Sequence, residues 1–283
     1  MGKRCQTQRT AADAPKGRVL DFSQQMRGGT FVNQDRRNQI IDMITQQRTI
    51  QNTQLMERFN ISIETVRRDL EYLEKQGYLR RVYGGAVLNS SLSSEPEYIC
   101  RSKEHSEEKN AIAATAAKLI SPSDSIFLGV GTTVQAMTPH IKNLGEITVF
   151  TNALRTAIAL TESPGCSVIL PGGQLRAKEL TLSEFPAEEC ISHFNVDKAF
   201  IGIGGINETG VTDYHIGEAR LHHRLIKNAR QSIVLADSSK FGVRAMTNVC
   251  TLQEIDIVVT DSKAPKQIVK TLERAGVRVI IAE

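Results

Sequence analysis

The segment from residue 50 to residue 88 constrains the fold more strongly than any other part of the chain. Two short helix patterns in it are separated by a three-residue turn, and a basic hairpin pattern follows the second helix. In that second helix Val66, Leu70 and Leu73 recur at i, i+4 and i+7, so they form one apolar stripe. A small domain of this kind can lay one helix in a DNA major groove. The segment therefore predicts a DNA-binding domain.

The N-terminal half of the second helix carries the candidate base contacts. Its start is predicted at Ser62, a good N-cap, which would accept a hydrogen bond from the amide of Glu64 or Thr65. A rotation of ~100° per residue places Glu64 and Arg68 opposite the apolar stripe, with Thr65 and Arg67 on its flanks. The predicted groove-reading residues are Ser62, Glu64, Thr65, Arg67 and Arg68. Whether each arginine reads a guanine or holds a phosphate is left open.

The helices before the turn support this interpretation. Residues 36–47 predict a supporting helix, and the first helix of the pair is expected to start at an N-cap, Asn52. The alternative is a merely solvated helix face with i,i+4 pairs such as Glu64 with Arg68. Because the cap, the short turn, the apolar spacing and the basic hairpin agree, the DNA-binding interpretation is favoured.

The hairpin after the second helix predicts a wing. Gly77 is expected just past the helix end, and residues 79–83 alternate as a strand does. Two glycines end that strand, and residues 86–88 begin the return strand. Arg80 and Arg81 on this wing are predicted to reach backbone phosphates.

Charge is spread unevenly along the 283 residues. Residues 1–88 contain 15 Lys/Arg and 9 Asp/Glu, whereas the rest contains 20 and 22, within a formal net charge of +4. The basic N-terminal end suits a DNA partner, and the remainder needs no polyanion. Residues 1–33 mix Gln, Thr, Arg, Gly and Pro without periodicity, so we expect a disordered basic extension before a winged domain at 34–88.

Several classes of protein are disfavoured. The five cysteines are scattered, with no metal-finger spacing, so we expect no metal, no cofactor and no disulfide framework. No apolar run approaches ~18 residues and no apolar signal segment opens the chain, so we expect no membrane partner and a cytoplasmic location.

The C-terminal part predicts a mostly parallel α/β domain over residues 101–283, joined to the winged domain by a polar, Ser-rich linker at 89–100. Short apolar strands alternate with helices there, a pattern typical of a doubly wound parallel sheet. The predicted strands are 125–128, 147–150, 167–170, 198–203, 232–236, 257–260 and 278–281.

Glycine and polar residues follow five of these strands. Ligands of such sheets lie at the C-terminal ends of the strands, where glycines allow the backbone to approach an anion. Lys240 is the only cation in the set and a plausible partner for a phosphate. The predicted effector-binding residues are Gly131, Thr132, Thr133, Thr151, Asn152, Gly172, Gly173, Gly202, Gly204, Gly205 and Lys240.

The chain resembles the DeoR family of bacterial sugar-metabolism regulators from residue 35 to its C-terminus. The resemblance is carried by residues 62–70, 77–86, 131–133, 151–153, 171–173, 199–202 and 237–241. It implies a winged helix-turn-helix before a sensor domain similar to ribose-5-phosphate isomerase, and a homo-oligomeric repressor that a phosphorylated sugar releases from operator DNA. One departure is Gly129, where the family commonly has an aspartate.

The rival hypothesis is a sugar-phosphate isomerase that carries a DNA-binding domain. Isomerisation needs a carboxylate base beside the anion site, whereas residues 202–205 contain no acid. Glu208, Asp213 and Glu218 are expected in turns or on a helix surface. The nearby histidines are expected to be solvated or packed rather than catalytic; they are His215, His222 and His223.

Overall fold

The computed structural model describes residues 23–88 and 95–283, with residues 23–32 and Gln46 described by their backbone alone. The N-terminal elements are α1 (Ser23–Gln47), β1 (Thr49–Gln51), α2 (Asn52–Phe59), α3 (Ile63–Lys75), β2 (Leu79–Val82) and β3 (Gly85–Leu88). They surround one small apolar core, which includes Ile40 and Ile44 of α1, Leu55 of α2 and Leu70 of α3.

The supporting helix α1 is longer than the sequence pattern predicts. It begins at Ser23, so the expected disordered extension is wrong for residues 23–33, and residues 1–22 lie outside the described part of the chain. The packing of Ile40 and Ile44 anchors the helix at its other end. Once a helix is nucleated, each further residue gains one backbone hydrogen bond for fixing only its own dihedral angles, so a helix can extend beyond its packed turns.

The helix-turn-helix and the wing form as predicted, with two differences. Asn52 is the first residue of α2 rather than its N-cap, a position that Gln51 takes. Gly77 has φ +83 just after the end of α3, as predicted for a residue past a helix C-terminus. The hairpin of β2 and β3 gains a third strand, β1, which pairs antiparallel with β3. Three residues are too few for a periodic signal, so the sequence does not reveal β1.

The C-terminal part is an α/β domain. Its helices are α4 (Tyr98–Lys103), α5 (Ser106–Ala117), α6 (Thr132–Gln135), α7 (Thr138–Ile141), α8 (Leu154–Leu160), α9 (Phe185–Ser192), α10 (Ile216–Asn228) and α11 (Lys266–Arg274). Its strands are β4 (Ser125–Leu128), β5 (Ile147–Thr151), β6 (Cys166–Ile169), β7 (Gln174–Arg176), β8 (Thr181–Ser183), β9 (Val196–Gly202), β10 (Gly205–Asn207), β11 (Gly210–Asp213), β12 (Ala229–Leu235), β13 (Thr247–Cys250), β14 (Ile257–Asp261) and β15 (Arg278–Ala282).

All seven predicted strands belong to one parallel sheet. Their order is β15-β14-β12-β9-β4-β5-β6, and every neighbouring pair runs parallel. Side chains of one strand alternate between two apolar layers: Phe127 of β4 packs on one face, and Ile126 and Leu128 pack on the other. Because apolar layers cover both faces of the sheet, the strands have uninterrupted apolar runs. The predicted fold class is confirmed.

The order of the strands changes direction between β4 and β9. From β4 the chain moves outward through β5 and β6, then returns to place β9 on the opposite side of β4. At such a switch point the loops after the two strands separate and leave a crevice, which is where ligands of these sheets bind. The loops after β4 and β9 are therefore the expected walls of a binding site.

Some elements lie outside the sequence pattern. A helix, α4, begins inside the segment predicted as a linker to residue 100. The hairpin of β7 and β8 and the antiparallel sheet of β10, β11 and β13 were not predicted either. Within the described residues, no helix combines the length and the apolar character that crossing a bilayer requires.

Candidate nucleic-acid interface and strand-end pocket

The start of α3 is fixed by Ser62. Its Oγ accepts a hydrogen bond from the amide of Thr65 at 3.3 Å and lies 3.1 Å from the Thr65 hydroxyl. Val66, Leu70 and Leu73 are buried against α1 and α2, as predicted. With this face buried, the opposite face of α3 points away from the domain core.

The outward face of α3 carries the predicted groove-reading charges. Arg68 and Glu64 are 76% and 63% exposed and face each other at 3.8 Å, and Arg67 is also exposed. Such an exposed pair contributes little to stability, so both side chains can leave it to contact another molecule. The N-terminal half of α3 is thus a free, charged helix face.

A buried ion-pair cluster that the sequence analysis missed orients α3. Asp69 is almost fully buried, and its two carboxylate oxygens accept from Nε of Arg36 at 2.6 Å and Nε of Arg37 at 2.9 Å. The Arg37 guanidinium also stacks on the Tyr72 ring, 3.8 Å from the ring centroid. Arg36 and Arg37, which are consecutive in α1, therefore hold the central turn of α3 in place through Asp69. Asp69, an acidic residue next to Leu70 on the otherwise apolar side of α3, is the sequence signal that could have revealed this cluster.

The two wing arginines have different surroundings. Arg81 is held by Glu74 of α3, which accepts from the Arg81 amide at 2.7 Å and from its Nε at 2.6 Å. Arg80 is exposed, and no ion pair holds it among the described residues. At the tip of the wing the side chain of Tyr83 is fully exposed, next to Gly84 with φ +79. Tyr83 is a further candidate contact that the sequence analysis did not name.

A small pocket with a cavity volume of about 20 Å³, partly open to solvent, lies at the switch point. Gly131 after β4, Gly202 at the end of β9, Gly204 after β9 and Lys240 after β12 all line it, so the structure brings these four predicted residues together. The other lining residues are Glu95, Arg101, Val130, Ile203, Asp213, Tyr214, Glu218 and His222.

Glycine is required where the two loops touch. A Cβ on Gly202 would lie 2.2 Å from the carbonyl oxygen of Val130, closer than any side chain tolerates. Gly131 has φ +135, a backbone conformation that L-residues rarely adopt, and packs against Gly202. The glycines therefore let the loops after β4 and β9 meet and expose backbone to the pocket.

The remaining predicted effector residues do not line this pocket. Thr151 is buried and its hydroxyl donates to the carbonyl of Leu128 at 2.7 Å, and the Asn152 amide donates to the carbonyl of Leu182 at 3.1 Å. Both hold loops at the ends of strands. The other predicted residues outside the lining are Thr132, Thr133, Gly172, Gly173 and Gly205.

The predictions for two acidic residues were wrong. Asp213 and Glu218 are buried and line the pocket, rather than lying in solvated turns or on a helix surface. Glu218 is in the first turn of α10, whose N-terminal end points into the domain, and it accepts from the Thr181 hydroxyl at 2.8 Å. A single sequence does not show which end of an amphipathic helix is covered by a hairpin such as β7 and β8.

His222 is packed, as predicted for the histidines of this region, and it also lines the pocket. Nδ1 lies 3.5 Å from Oδ2 of Asp213, and neither ring nitrogen has a hydrogen-bond partner among the described residues. A Cβ on Gly129 would lie 3.1 Å from Nε2 of His222. The imidazole therefore fills the space beside Gly129, where the family resemblance leads one to expect a carboxylate.

A network of ion pairs closes one side of the pocket. Arg101 contacts Glu95 at 3.0 Å and Glu179 at 2.5 Å, and Arg176 contacts Glu218 and, at 3.5 Å, Glu95. Burial raises the pKa of Glu95 to about 7, in spite of the nearby Arg101. Burial alone would lower the pKa of Arg101, but Glu95 and Glu179 raise it well above its ordinary value.

A second cluster surrounds Lys240. Asp237 is fully buried; burial would raise its pKa, but Lys109, Lys240 and His105 hold it at about 2. Burial lowers the pKa of Lys109 to about 8, and its ammonium donates to the Glu104 carbonyl at 2.7 Å. Asp237 thus keeps a negative charge behind the half-buried Lys240. Among the described residues there is no cluster of His, Cys, Asp and Glu that could hold a metal ion.

Comparisons with known proteins agree with both halves of the structure. Residues 36–92 match the DeoR-like helix-turn-helix domain, and residues 104–262 match the DeoR C-terminal sensor domain. The chain is 36% identical to the HTH-type transcriptional repressor GlcR of Bacillus subtilis, over 86% of this chain and 94% of that protein. It is 34% identical to the glycerol-3-phosphate regulon repressor of Escherichia coli, over 84% and 94% of the respective chains.

Solved structures give weaker likenesses. A ribose 5-phosphate isomerase from Methanocaldococcus jannaschii is 18% identical and aligns over 49% of this chain and 55% of its own, with a TM-score of 0.37. A probable sor operon regulator from Shigella flexneri is 14% identical and aligns over 60% and 89%, with a TM-score of 0.39.

A winged helix-turn-helix with an exposed basic helix, joined to an α/β domain with a strand-end pocket, defines a ligand-responsive DNA-binding regulator. The chain belongs to the DeoR family of transcriptional regulators. The two relatives at 36% and 34% identity are repressors, so the hypothesis of an isomerase that carries a DNA-binding domain is set aside.

Proposed function

We propose that this protein represses a carbohydrate catabolic operon and leaves its operator when a phosphorylated sugar occupies the strand-end pocket. The observation that carries the proposal is the position of Gly131, Gly202, Gly204 and Lys240 around one pocket at the switch point. Exposed backbone and a nearby ammonium group suit a phosphate, and buried carboxylates suit sugar hydroxyls. One relative is named for the glycerol-3-phosphate regulon, and glycerol 3-phosphate is itself a phosphate monoester.

The DNA contacts proposed are those of the outward face of α3 and of the wing. Ser62, Glu64, Thr65, Arg67 and Arg68 face the major groove, because the helix that follows the turn enters it N-terminal end first. On the wing, phosphate contacts are assigned to Arg80 and Arg81, with Tyr83 at the tip. A homo-oligomer in the cytoplasm would present two such surfaces to repeated half-sites.

The experiment that tests this function is a titration of the full chain onto DNA from upstream of its own gene, followed by fluorescence anisotropy. A panel of sugar phosphates and their unphosphorylated counterparts is then added. At least one phosphorylated compound should release the DNA, and its unphosphorylated counterpart should not. Release by the unphosphorylated sugar at equal concentration would contradict the assignment of a phosphate effector.

Lys240→Ala separates sensing from DNA binding. Lys240 lines the pocket and belongs to neither α3 nor the wing, so its replacement should leave operator affinity unchanged while the phosphorylated effector loses its releasing action. Lys142, half-buried like Lys240 but outside the pocket lining, is a matched control, and Lys142→Ala should respond as the wild type does. A normal response of Lys240→Ala to the effector would refute this placement of the phosphate.

A further inference from the structure

Glu95 connects the strand-end pocket to the DNA-binding domain. It belongs to the segment between the wing and the sensor domain, yet its side chain is only 16% exposed and lines the pocket together with Gly131 and Gly202. An acidic residue of a polar linker would ordinarily lie in solvent. Its burial in a proposed ligand site therefore calls for a functional explanation.

The Glu95 carboxylate is bound in the way that an anionic ligand would be. Oε1 lies 3.0 Å from Nη2 of Arg101, and Oε2 lies 3.5 Å from Nη2 of Arg176. Each oxygen thus contacts a different guanidinium group, and guanidinium groups are the side chains that bind phosphate with the best geometry. Arg101 and Arg176 form an anion site that the protein's own carboxylate fills.

This carboxylate and a phosphate cannot share the site. Glu179 contacts Arg101 and Glu218 contacts Arg176, and both of these acids and Asp213 act on Glu95 as like charges. A phosphate monoester adds nearly two further negative charges at neutral pH. Glu95 is also weakly held, because burial raises its pKa to about 7 against the effect of Arg101. An entering phosphate would therefore displace Glu95.

Displacement of Glu95 has a direct route to the DNA-binding helix. Arg101 also donates from Nε to the Pro96 carbonyl at 2.8 Å, so the same guanidinium holds the backbone that leads into α4. In α4 the Cys100 thiol donates to Gln76 at 2.7 Å and accepts from the Tyr72 hydroxyl at 3.7 Å. Tyr72 is in α3, and Gln76 is the C-cap residue of that helix.

We propose that Glu95 is an internal occupant of the effector site, held on Arg101 and Arg176 in the DNA-binding form, and that the phosphate of the effector displaces it and loosens the junction with α3. The proposal rests on the proposed function and adds two ligands for the phosphate beside Lys240: Arg101, which lines the pocket, and Arg176, which lies next to the pocket through its contact with Glu95. Phosphate binding and operator release are linked because each favours a different position of Glu95.

The first test measures the affinity of the full chain for inorganic phosphate by calorimetry, at constant ionic strength. Glu95→Gln removes the charge but keeps the size, and Arg101 and Arg176 retain Glu179 and Glu218 as partners. This variant should bind phosphate about tenfold more tightly than the wild type, the effect of one charge-assisted contact. Arg176→Gln should lose phosphate binding. The matched control is Glu97→Gln, an exposed acid of the same segment, which should behave as the wild type does.

The second test measures operator affinity without any ligand. Glu95→Gln should bind the operator several-fold more weakly than Glu97→Gln, because the internal contact that holds the DNA-binding form is lost. Glu95→Asp keeps the charge on a shorter side chain and should fall between the two. If Glu95→Gln and Glu97→Gln bound phosphate equally tightly, the proposal would be overturned. Equal operator affinities of these two variants would overturn it as well. If no sugar phosphate released the wild type, the proposed function would fail while both tests here still gave a result.

Discussion

At the scale of single residues, Asp69 has the clearest influence on the DNA-binding face. Its carboxylate lies on α3 between apolar residues and would be costly to bury without partners. Arg36 and Arg37 each satisfy one of its oxygens, and Arg37 also packs on Tyr72. Because the arginines come from α1, this cluster fixes the rotation of α3 about its own axis and hence the direction in which Arg68 points.

Asp69→Ala should strongly destabilise the N-terminal domain. It leaves two poorly solvated guanidinium groups without their carboxylate, and removal of one partner of a buried pair costs ~3–5 kcal/mol. Urea unfolding of the full chain followed by circular dichroism measures the loss. Glu71→Ala is the control, because its pair with Lys75 is exposed and should contribute little to stability. Similar losses in the two variants would contradict a special role for Asp69.

Arg68→Ala distinguishes base reading from phosphate contact. If Arg68 contacts a base edge, the variant should lose ~1–3 kcal/mol of operator binding and keep its affinity for unrelated DNA. Anisotropy titrations on both DNA fragments measure the difference. Lys75→Ala, at the C-terminal end of the same helix, should not lower the affinity for the operator more than the affinity for unrelated DNA. An equal loss on both fragments would assign Arg68 to the phosphate backbone instead.

The positions of the proposed DNA-contacting residues on α3 follow from the sequence, whereas those of the charged pocket residues do not. Ser62, Val66 and Arg68 take positions set by helix geometry alone, which a periodic pattern contains. Glu95 and Glu218 meet at the pocket only because a linker and a hairpin fold over the sheet. Such contacts join residues far apart in sequence, and no local pattern encodes them.

At the scale of elements, the apolar runs of the strands predict the parallel sheet, and the strand order of that sheet positions the pocket. The central strands, such as β4 and β14, are largely buried on both faces, so their apolar runs are clear in the sequence. Strands of three residues, such as β1, β7 and β10, bury too few side chains to leave a signal. Gly131 and Gly202 were predicted as site residues because turns after parallel strands meet at one sheet edge. Gly172 and Gly173 follow β6, at the far edge of the sheet, so they do not reach the same pocket.

The wing offers a test at this scale, since its two arginines have different surroundings. Arg80→Ala should weaken binding to operator and to unrelated DNA alike, and lower the slope of log affinity against log salt by about 1. Arg81→Ala should have the smaller effect on DNA binding, because Glu74 already neutralises Arg81. Affinities measured between low and moderate salt provide the slopes. A larger change in slope for Arg81→Ala would contradict the assignment of Arg80 as the freer phosphate contact.

At the scale of the whole molecule, polar contacts join the two domains. Cys100 links α4 to Tyr72 and Gln76, and His105 approaches Asp42 of α1 at 3.9 Å. Burial raises the pKa of Asp42, and the nearby His105 opposes that effect. Polar junctions of this kind can be rearranged at small cost, which suits a regulator whose domains must respond to a ligand.

The burial of Glu95 predicts a pH-dependent stability. Its pKa is about 7 in the folded protein against an ordinary value of 4.5, because burial, Glu179, Glu218 and Asp213 outweigh Arg101. Between these pH values the folded state binds more protons than the unfolded state, so the free energy of unfolding falls as pH rises. The contribution of Glu95 to stability is therefore complete below pH 4.5 and lost by about pH 7.

Glu95→Gln cannot bind that proton, so its stability relative to the wild type should increase from pH 4.5 to 7, by up to ~3 kcal/mol, and stay constant above pH 7. Urea unfolding at a series of pH values measures this difference, and the exposed Glu97→Gln should show none. A difference that shrank as pH rose would mean that Arg101 and Arg176 hold the Glu95 carboxylate more tightly than water does. A phosphate would then have to overcome a strong internal contact, and displacement of Glu95 by the effector would be disfavoured.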